Sequence, residues 1–358
     1  MKYVHVIVNT AYTAPFISFV NTHFKAEEHF FYVIGGWSEE TVRVPVSGNV
    51  RSLYHTRHLL NGFRMLKDMN VSKKIFIHGL FSPYILWALV TQPWLLKKCS
   101  WAVWGGDLYH YQVPRETLRL KVEEWLRRIC IKRFGELITI KGDYELAQKW
   151  YGVKGVYKYA MYSTPLKIAE IDQIIRSGQP KVDTGVISIQ IGNSAAYENN
   201  HFEIIDLLKQ YRDQNIKIYA LLSYGENDYA EKVIAYGRSV FEDKFVPVRN
   251  YMEFKDFVLF MNSMDLIVFN HKRQQALGNL LLATYLQKKV FISSESSLWG
   301  LFTDEFGMMM EDTQSIRDLD YERFKTKNQA GVERNKIKAD VILDEKFIIG
   351  LWDALFDK

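Results

Sequence analysis

The chain has 358 residues, more than twice the roughly 150 of a typical domain, so two sizeable domains are expected. At 48% hydrophobic and 24% charged it is not a disordered chain, and a net charge of +5 is too small for a dedicated nucleic-acid binder. Its two cysteines, Cys99 and Cys130, exclude a disulfide scaffold and a cysteine zinc site and favour a reducing compartment.

The first residues lack the long apolar region of a secretory signal and read as a strand over Tyr3–Val8. Short β-rich runs then alternate with amphipathic stretches, the pattern of α/β domains with parallel sheets. Further strands are expected at Phe30–Ile34, Lys74–His78, Ser100–Trp104 and Leu137–Ile140. Helices are expected between them at Pro15–Lys25, Arg51–Met69, Pro83–Val90, Pro114–Arg133 and Asp143–Tyr151. The apolar run Pro83–Leu96 is interrupted by Gln92-Pro93 and falls short of a membrane span of roughly 20 residues.

A polar, strandless interval from Ser163 to Asp183 suits an interdomain connection, after which the rhythm restarts. Strands are expected at Val186–Ile191, Ile216–Leu222, Leu266–Phe269 and Lys289–Ile292, and helices at Asn199–Tyr211, Asp228–Gly237, Phe254–Met261 and Gly278–Leu286. The tail Asp344–Phe356 reads as an amphipathic helix. The expected fold class is α/β, with two Rossmann-like domains facing a cleft. A first Rossmann-like domain over 1–165 precedes a linker over 166–184, a second domain over 185–343 and a C-terminal helix over 344–358.

Common motifs are missing: no dinucleotide Gly-x-Gly-x-x-Gly, no phosphate loop, no His-Glu-x-x-His and no Gly-x-Ser-x-Gly. Asp318-Leu319-Asp320 reads as a solvated helix start, because no apolar strand delivers it and acids favour that position. No other paired carboxylates follow a strand, so no cofactor and a metal-independent reaction are expected.

In open α/β sheets ligands bind beyond the carboxyl ends of the strands, which directs attention to the residues after each apolar run. In the second half these are Gly192-Asn193-Ser194 with Asn199 and His201, Ser223-Tyr224-Gly225, Arg273-Gln274-Gln275 before Gly278, and Glu295. Backbone N–H groups near Gly192 and a helix N-terminus suit a phosphate, and the planar donor fork of Arg273 suits a diphosphate. Glu295 is placed to accept from sugar hydroxyls. Gly-Asn-Ser is equally a tight turn with a helix cap, and a lone arginine is often a surface cation. In the first half, His78 and Asp107 are the titratable groups at strand exits and the candidate general bases. A structural reading stands beside each: a histidine bonded beneath the sheet, and a cap after Gly105-Gly106.

His78-Gly-x-Phe-x-Pro83, Trp104-Gly-x-Asp107-Leu-Tyr109, Gly192-Asn-Ser194 with Asn199 and His201, Arg273-Gln-Gln-x-x-Gly278, Glu295 and Trp299 occur in that order. Together this set resembles the bacterial 4-acetamido-4,6-dideoxy-galactose (Fuc4NAc) transferases of enterobacterial common antigen synthesis. The resemblance runs from about Lys74 to Gly300. Ala195-Ala196-Tyr197 and Asn270-His271-Lys272 depart from the family pattern beside the donor residues and leave the donor sugar open. The resemblance implies a GT-B-like glycosyltransferase that takes a dTDP-sugar donor in its C-terminal domain. It also implies a polyprenyl-diphosphate-linked saccharide acceptor and peripheral association with the cytoplasmic face of the inner membrane. A related enzyme using another nucleotide sugar for capsule or O-antigen, or a non-catalytic nucleotide-sugar-binding scaffold, are the alternatives.

A lipid-linked acceptor requires docking to an anionic membrane surface, and Trp94, Lys97, Lys98, Arg127 and Arg128 are the candidate contacts. Within 118–134, Leu118, Val122, Trp125, Leu126 and Ile129 share one broad helical face, which is expected to pack on the core.

Overall fold

The first strand, β1 (Tyr3–Val8), is buried along its whole length, as its Val/Ile-rich run, interrupted by His5, requires of a strand covered on both faces. The computed structural model describes residues 2–35, 47–53, 58–162, 166–178 and 185–356. The remaining strands of this half are β2 (His29–Ile34), β3 (Val50–Ser52), β4 (Lys74–His78), β5 (Cys99–Ala102), β6 (Glu136–Ile138) and β7 (Val156–Lys158). Among the described residues they form one parallel sheet in the order β3-β2-β1-β4-β5-β6-β7. The second half repeats the scheme with β8 (Ile187–Ile191), β9 (Ile216–Leu221), β10 (Phe245–Val248), β11 (Leu266–Phe269), β12 (Lys289–Ile292) and β13 (Glu311–Asp312). Their order is β10-β9-β8-β11-β12-β13, again parallel. Both sheets reverse beside their first strand, between β1 and β4 and between β8 and β11. That reversal opens a crevice at the carboxyl edge.

The chain divides into two compact units: Met1–Ser163 with Ile348–Lys358, and Thr164–Phe347. This corrects two expected boundaries. Within the expected linker, Ile168–Ser177 is a helix of unit 2 whose Asp172 accepts from the Tyr285 hydroxyl at 2.6 Å; 179–184 lie outside the described residues, as do 163–165. The tail helix Glu345–Phe356 is no separate appendage. Trp352 donates its indole N–H to Met161 O at 2.8 Å and packs with Phe16, Phe76 and Phe356 in the core of unit 1.

The expected strands are present within a residue or two, but β3, β7, β10 and β13 were not legible in the sequence. They are edge or near-edge strands of two to four residues, too short to carry a periodic signal, and β10 contains Pro247, which only an edge tolerates. Val50–Ser52 is one of them, so the helix expected from Arg51 begins instead at His58; 54–57 are outside the described residues. The helix Gln329–Leu343 was also missed.

The largest departure concerns the helix Leu118–Arg133. Its inner face holds Glu124, Leu126, Arg127, Cys130 and Ile131, whereas Leu118, Val122 and Trp125 point outward at 78%, 37% and 60% exposure. Two charged residues are buried because they have specific partners. Arg127 donates to the carbonyls of Leu80 and Asp107, and Glu124 gathers Arg115 and Arg128. Burial raises the Glu124 pKa, but hydrogen bonds from His110, Arg128 and Arg115 outweigh it and leave the carboxyl below its ordinary value.

One face of the unit 1 sheet buries three histidines in a chain. His5 Nδ1 meets His78 Nε2 at 2.9 Å, and His5 Nε2 meets His29 Nδ1 at 3.0 Å. His78 Nδ1 meets the Tyr162 hydroxyl, which also accepts from the Trp104 indole at 2.8 Å. A single direction satisfies every atom: Tyr162 donates to His78, His78 to His5 and His5 to His29, with all three rings neutral. Desolvation lowers their pKa values, to about 4 for His29 and about 3 for His78, and well below the ordinary 6.5 for His5. The folded state therefore binds fewer protons than the unfolded chain below pH 6.5. Stability should be fully present above that pH and fall as pH drops toward 4, by up to about 1.4 kcal/mol per pH unit for each histidine. Urea midpoints followed by tryptophan fluorescence at pH 7, 6 and 5 check this; a flat midpoint contradicts neutral burial.

Candidate functional site

The residues at the carboxyl edge of unit 2 converge on one carboxamide. Asn199 Oδ1 accepts from Asn193 N at 2.8 Å and from His271 Nε2 at 2.8 Å, while its Nδ2 donates to Ser194 Oγ at 3.1 Å. Asn199 thereby joins the loop after β8 to the loop after β11, across the point where strand order reverses. Gly192 turns at φ +62° with the His201 ring against it; a Cβ there would sit 2.2 Å from His201 Nε2. Only glycine fits. The His201 Nδ1 meets the Tyr229 hydroxyl at 3.2 Å, and desolvation brings both His201 and His271 down to about 3, so both are neutral. A third loop is clipped on through backbone: Ala195 N donates to Tyr224 O at 2.7 Å, and the Tyr224 hydroxyl accepts from Asn193 Nδ2 at 2.9 Å.

Around this hub several buried polar atoms have no partner within the protein: Gln190 Oε1, Asn193 Oδ1, His201 Nε2, Arg273 Nε and Gln275 Oε1. Orphans of this kind are uncommon, and five at one strand edge mark a place where something else completes the bonding. Arg273 holds Glu198 through Nη2 at 2.8 Å, and Gln275 reaches Ser194 Oγ at 3.4 Å. Gln274 is half-buried beside them. The helix Leu277–Tyr285 then starts from Ala276, at φ 60°, without a side-chain cap. A Cβ on Gly278 would meet open space, and the first N–H groups of a helix have no acceptor within it. Glu295 lies at the rim, 3.4 Å from Lys272 Nζ and largely exposed.

At the carboxyl edge of unit 1 the structure corrects both candidate bases. Asp107 is fully buried, and N–H groups of Leu80 (2.9 Å), Trp101 (2.7 Å), Trp104 (2.9 Å) and Leu108 (3.2 Å) occupy its two oxygens. Burial outweighs these donors and Arg127 and holds its pKa above the ordinary carboxylate value, while the four N–H bonds leave neither oxygen open to an acceptor hydroxyl. Its bonds tie the loop after β4 to the loop after β5, which makes it a structural clip. His78 is equally buried, and both ring nitrogens belong to the chain of histidines above.

Asp320 caps the helix Tyr321–Lys325 by accepting from Arg323 N at 2.8 Å, which is the solvated helix start expected of Asp318-Leu319-Asp320. Among the described residues no cluster of three or more His, Cys, Asp or Glu is arranged to hold a metal ion.

A family model described as 4-alpha-L-fucosyltransferase, glycosyl transferase group 56, matches residues 16–338. The chain belongs to this family. The transferase is also similar to solved structures along essentially its whole length. A sucrose-phosphate synthase from Thermosynechococcus elongatus matches at 11% identity and a TM-score of 0.66, over 99% of this chain and 98% of that one. A glycosyltransferase from Rickettsia africae matches at 11% and 0.63, over 99% and 98%. A structure described as trehalose-6-phosphate from E. coli bound with UDP-2-fluoro glucose matches at 10% and 0.65, over 99% of both chains. At these identities the likeness carries the fold alone: the transferase is a GT-B glycosyltransferase with two Rossmann-like units.

The membrane candidates of the transferase separate into two groups. Trp94, at 63% exposure, and Lys97 are on the surface, and the Arg128 side chain is 48% exposed while paired with Glu124. Arg127 is 4% exposed and Lys98 is tied to the carbonyls of Asn70 (2.7 Å) and Ser72 (3.0 Å), so neither is a free surface cation. Among the described residues no helix is long and apolar enough to cross a membrane. The residues of this cluster not singled out from the sequence are Gln190, His271 and Glu198. Gln190 did carry a signal, a polar side chain within the apolar run Ile187–Ile191; His271 and Glu198 became visible only through their partners.

Asp107→Asn in the transferase sets an amide NH₂ against N–H donors and leaves two of the four buried donors unpaired. It should destabilise unit 1 by about 2–6 kcal/mol, roughly 1–3 kcal/mol for each of those two donors. Urea unfolding measures this; unchanged stability with abolished transfer would restore Asp107 as the base.

Proposed function

We propose that this glycosyltransferase moves a deoxyamino sugar, Fuc4NAc or a close relative, from a dTDP-sugar to a polyprenyl-diphosphate-linked saccharide. It would serve bacterial cell-surface polysaccharide synthesis as a peripheral protein at the cytoplasmic face of the inner membrane. The observation that supports this best is the group of partnerless buried polar atoms at the reversal point of unit 2, beside Arg273 and an uncapped helix N-terminus. Diphosphate chemistry matches it. A guanidinium offers a bidentate fork, and the first N–H groups of Leu277–Tyr285 add the positive end of a helix dipole. A donor diphosphate would replace Glu198 on Arg273, and Asn193 and Gln275 retain unused atoms for the nucleoside and sugar. As the sugar bond breaks, charge grows on the departing diphosphate, where Arg273 and the helix amides already point. Those groups supply the neutralisation that a divalent ion provides elsewhere, which supports transfer without a metal or other cofactor. The acceptor is assigned to the carboxyl edge of unit 1, with no base role for His78 or Asp107.

The Fuc4NAc assignment rests on the ordered motifs, and the departures at Ala195–Tyr197 and Asn270–Lys272 favour a donor panel as the decisive assay. Product analysis with several nucleotide sugars and a synthetic polyprenyl-diphosphate disaccharide should single out a dTDP-deoxyamino sugar; transfer from none of them would reject this reading.

Arg273→Ala removes charge-assisted bonds to the diphosphate and should weaken dTDP binding about 10- to 100-fold with an unchanged melting temperature. Calorimetry on the folded variant checks it.

Transfer should persist in EDTA. Activity lost to the chelator and restored by Mg²⁺ or Mn²⁺ would overturn metal independence.

A further inference from the structure

We propose that unit 1 carries a discrete pocket for the phosphate headgroup of an anionic phospholipid, between the C-terminal halves of the helices Leu118–Arg133 and Lys141–Tyr151. The inference rests on the membrane-surface part of the proposed function and gives that surface a specific ligand. An open pocket of about 610 Å³ is lined there by Trp125, Arg128, Lys132, Arg133, Trp150 and Lys154, with no carboxylate in its wall.

The cations are in excess of what the fold needs. Two helix ends supply about half a negative charge each, and basic residues in a last turn commonly offset that. Arg128 is engaged by Glu124 at 3.0 Å, but among the described residues Lys132, Arg133 and Lys154 form no ion pair. Three cations therefore face roughly one unit of helix-end charge. The walls are also built. Trp150 stacks on Tyr111 at 5.3 Å and 5°, and the Arg128 guanidinium lies 4.8 Å over the other partner of that stack, the Tyr111 ring. One indole and one guanidinium are held in place before any ligand arrives, which lowers the ordering cost of binding.

The position excludes the reaction's own substrates. Both helices run back to the start of a strand, Leu118–Arg133 to β6 and Lys141–Tyr151 to β7, so their C-terminal ends stand at the amino edge of the sheet. Ligands of the reaction belong at the opposite, carboxyl edge.

A lipid is favoured over a soluble phosphate compound by what adjoins the pocket. Leu118, Val122 and Trp125 form an outward apolar stripe at helical spacing that leads into it. The helix Pro83–Thr91, packed alongside, adds Tyr84 and Trp87 at 85% and 51% exposure. Exposed aliphatic and aromatic side chains ending in a cationic, indole-walled pocket match a molecule with an acyl body and an anionic head.

The test titrates the full chain with dihexanoyl phosphatidic acid below its micelle concentration, following tryptophan fluorescence. Dihexanoyl phosphatidylcholine and glycerol 3-phosphate serve as comparison ligands. Saturable binding of the phosphatidic acid is expected, at least tenfold tighter than either comparison. Lys132→Glu/Lys154→Glu, with its melting temperature confirmed, should weaken it at least tenfold, and the charge-matched Lys209→Glu/Lys255→Glu in unit 2 should not. Equal binding of phosphatidylcholine, equal binding of glycerol 3-phosphate, or equal loss in the two double variants each overturns the pocket. Sedimentation with phosphatidylglycerol-containing vesicles separates the two levels. Wild type that sediments, with a titration unmoved by Lys132→Glu/Lys154→Glu, keeps the membrane reading and rejects the pocket. Wild type that does not sediment rejects the membrane reading itself.

Discussion

The architecture at the carboxyl edge of unit 2 depends on the Asn199 carboxamide. A parallel sheet whose order reverses between β8 and β11 leaves two loops diverging at its carboxyl edge, and beyond the Gly192 N–Val268 O bond nothing in the sheet's own ladder ties them together. Asn199 does so with one acceptor and one donor, holding Asn193 N, His271 Nε2 and Ser194 Oγ at 2.8–3.1 Å. Desolvation keeps the His271 ring neutral, and the bond to the Asn199 oxygen places its one proton on Nε2. With the loops fixed, Gly192 stays pressed on His201, and Arg273 and the uncapped helix stay beside the partnerless atoms. Such preorganisation suits a site that stabilises developing charge, since the donors are aimed before the charge appears.

Unit 1 uses its buried polar groups differently. Asp107 has four N–H donors, and the His78 nitrogens are both engaged, so these groups spend their bonding capacity on the loops and sheet that hold them. A titratable residue at a strand exit is as good a clip as it is a base. What separates the roles is whether any lone pair is left over, and in unit 2 some are, whereas in Asp107 and His78 none is. The consequence for pH is also distinct: a neutral histidine core is a liability in acid, and the stability of unit 1 is tied to it.

The helix Leu118–Arg133 illustrates how a few specific bonds override hydrophobic periodicity. Burying Arg127 and Glu124 would be costly without partners, but two carbonyls and several cations supply them. Once that face is inside, Leu118, Val122 and Trp125 are obliged to face outward. Exposed apolar side chains beside cations are the composition of a membrane-contacting surface, and the same helix supplies half of the pocket wall.

The sequence by itself determined the parallel α/β class, the central strands nearly to the residue, and the strand exits at which Gly192, Asn199, Arg273 and Gly278 lie. Those features are local: a buried parallel strand must be a continuous apolar run, and the chain must turn polar where it leaves the sheet. The tertiary structure decided the rest. It returned the tail helix to unit 1, through the Trp352 bond to Met161, and it added edge strands too short to have a period. It also turned the face of Leu118–Arg133 outward and gave Asp107 and His78 their partners. Each of these outcomes depends on an atom far away in the chain, such as Leu80 O for Arg127 or Tyr162 for His78. A residue's type and spacing carry no record of such a partner, so burial of a charge or a histidine becomes decidable only when the folded chain brings the two together.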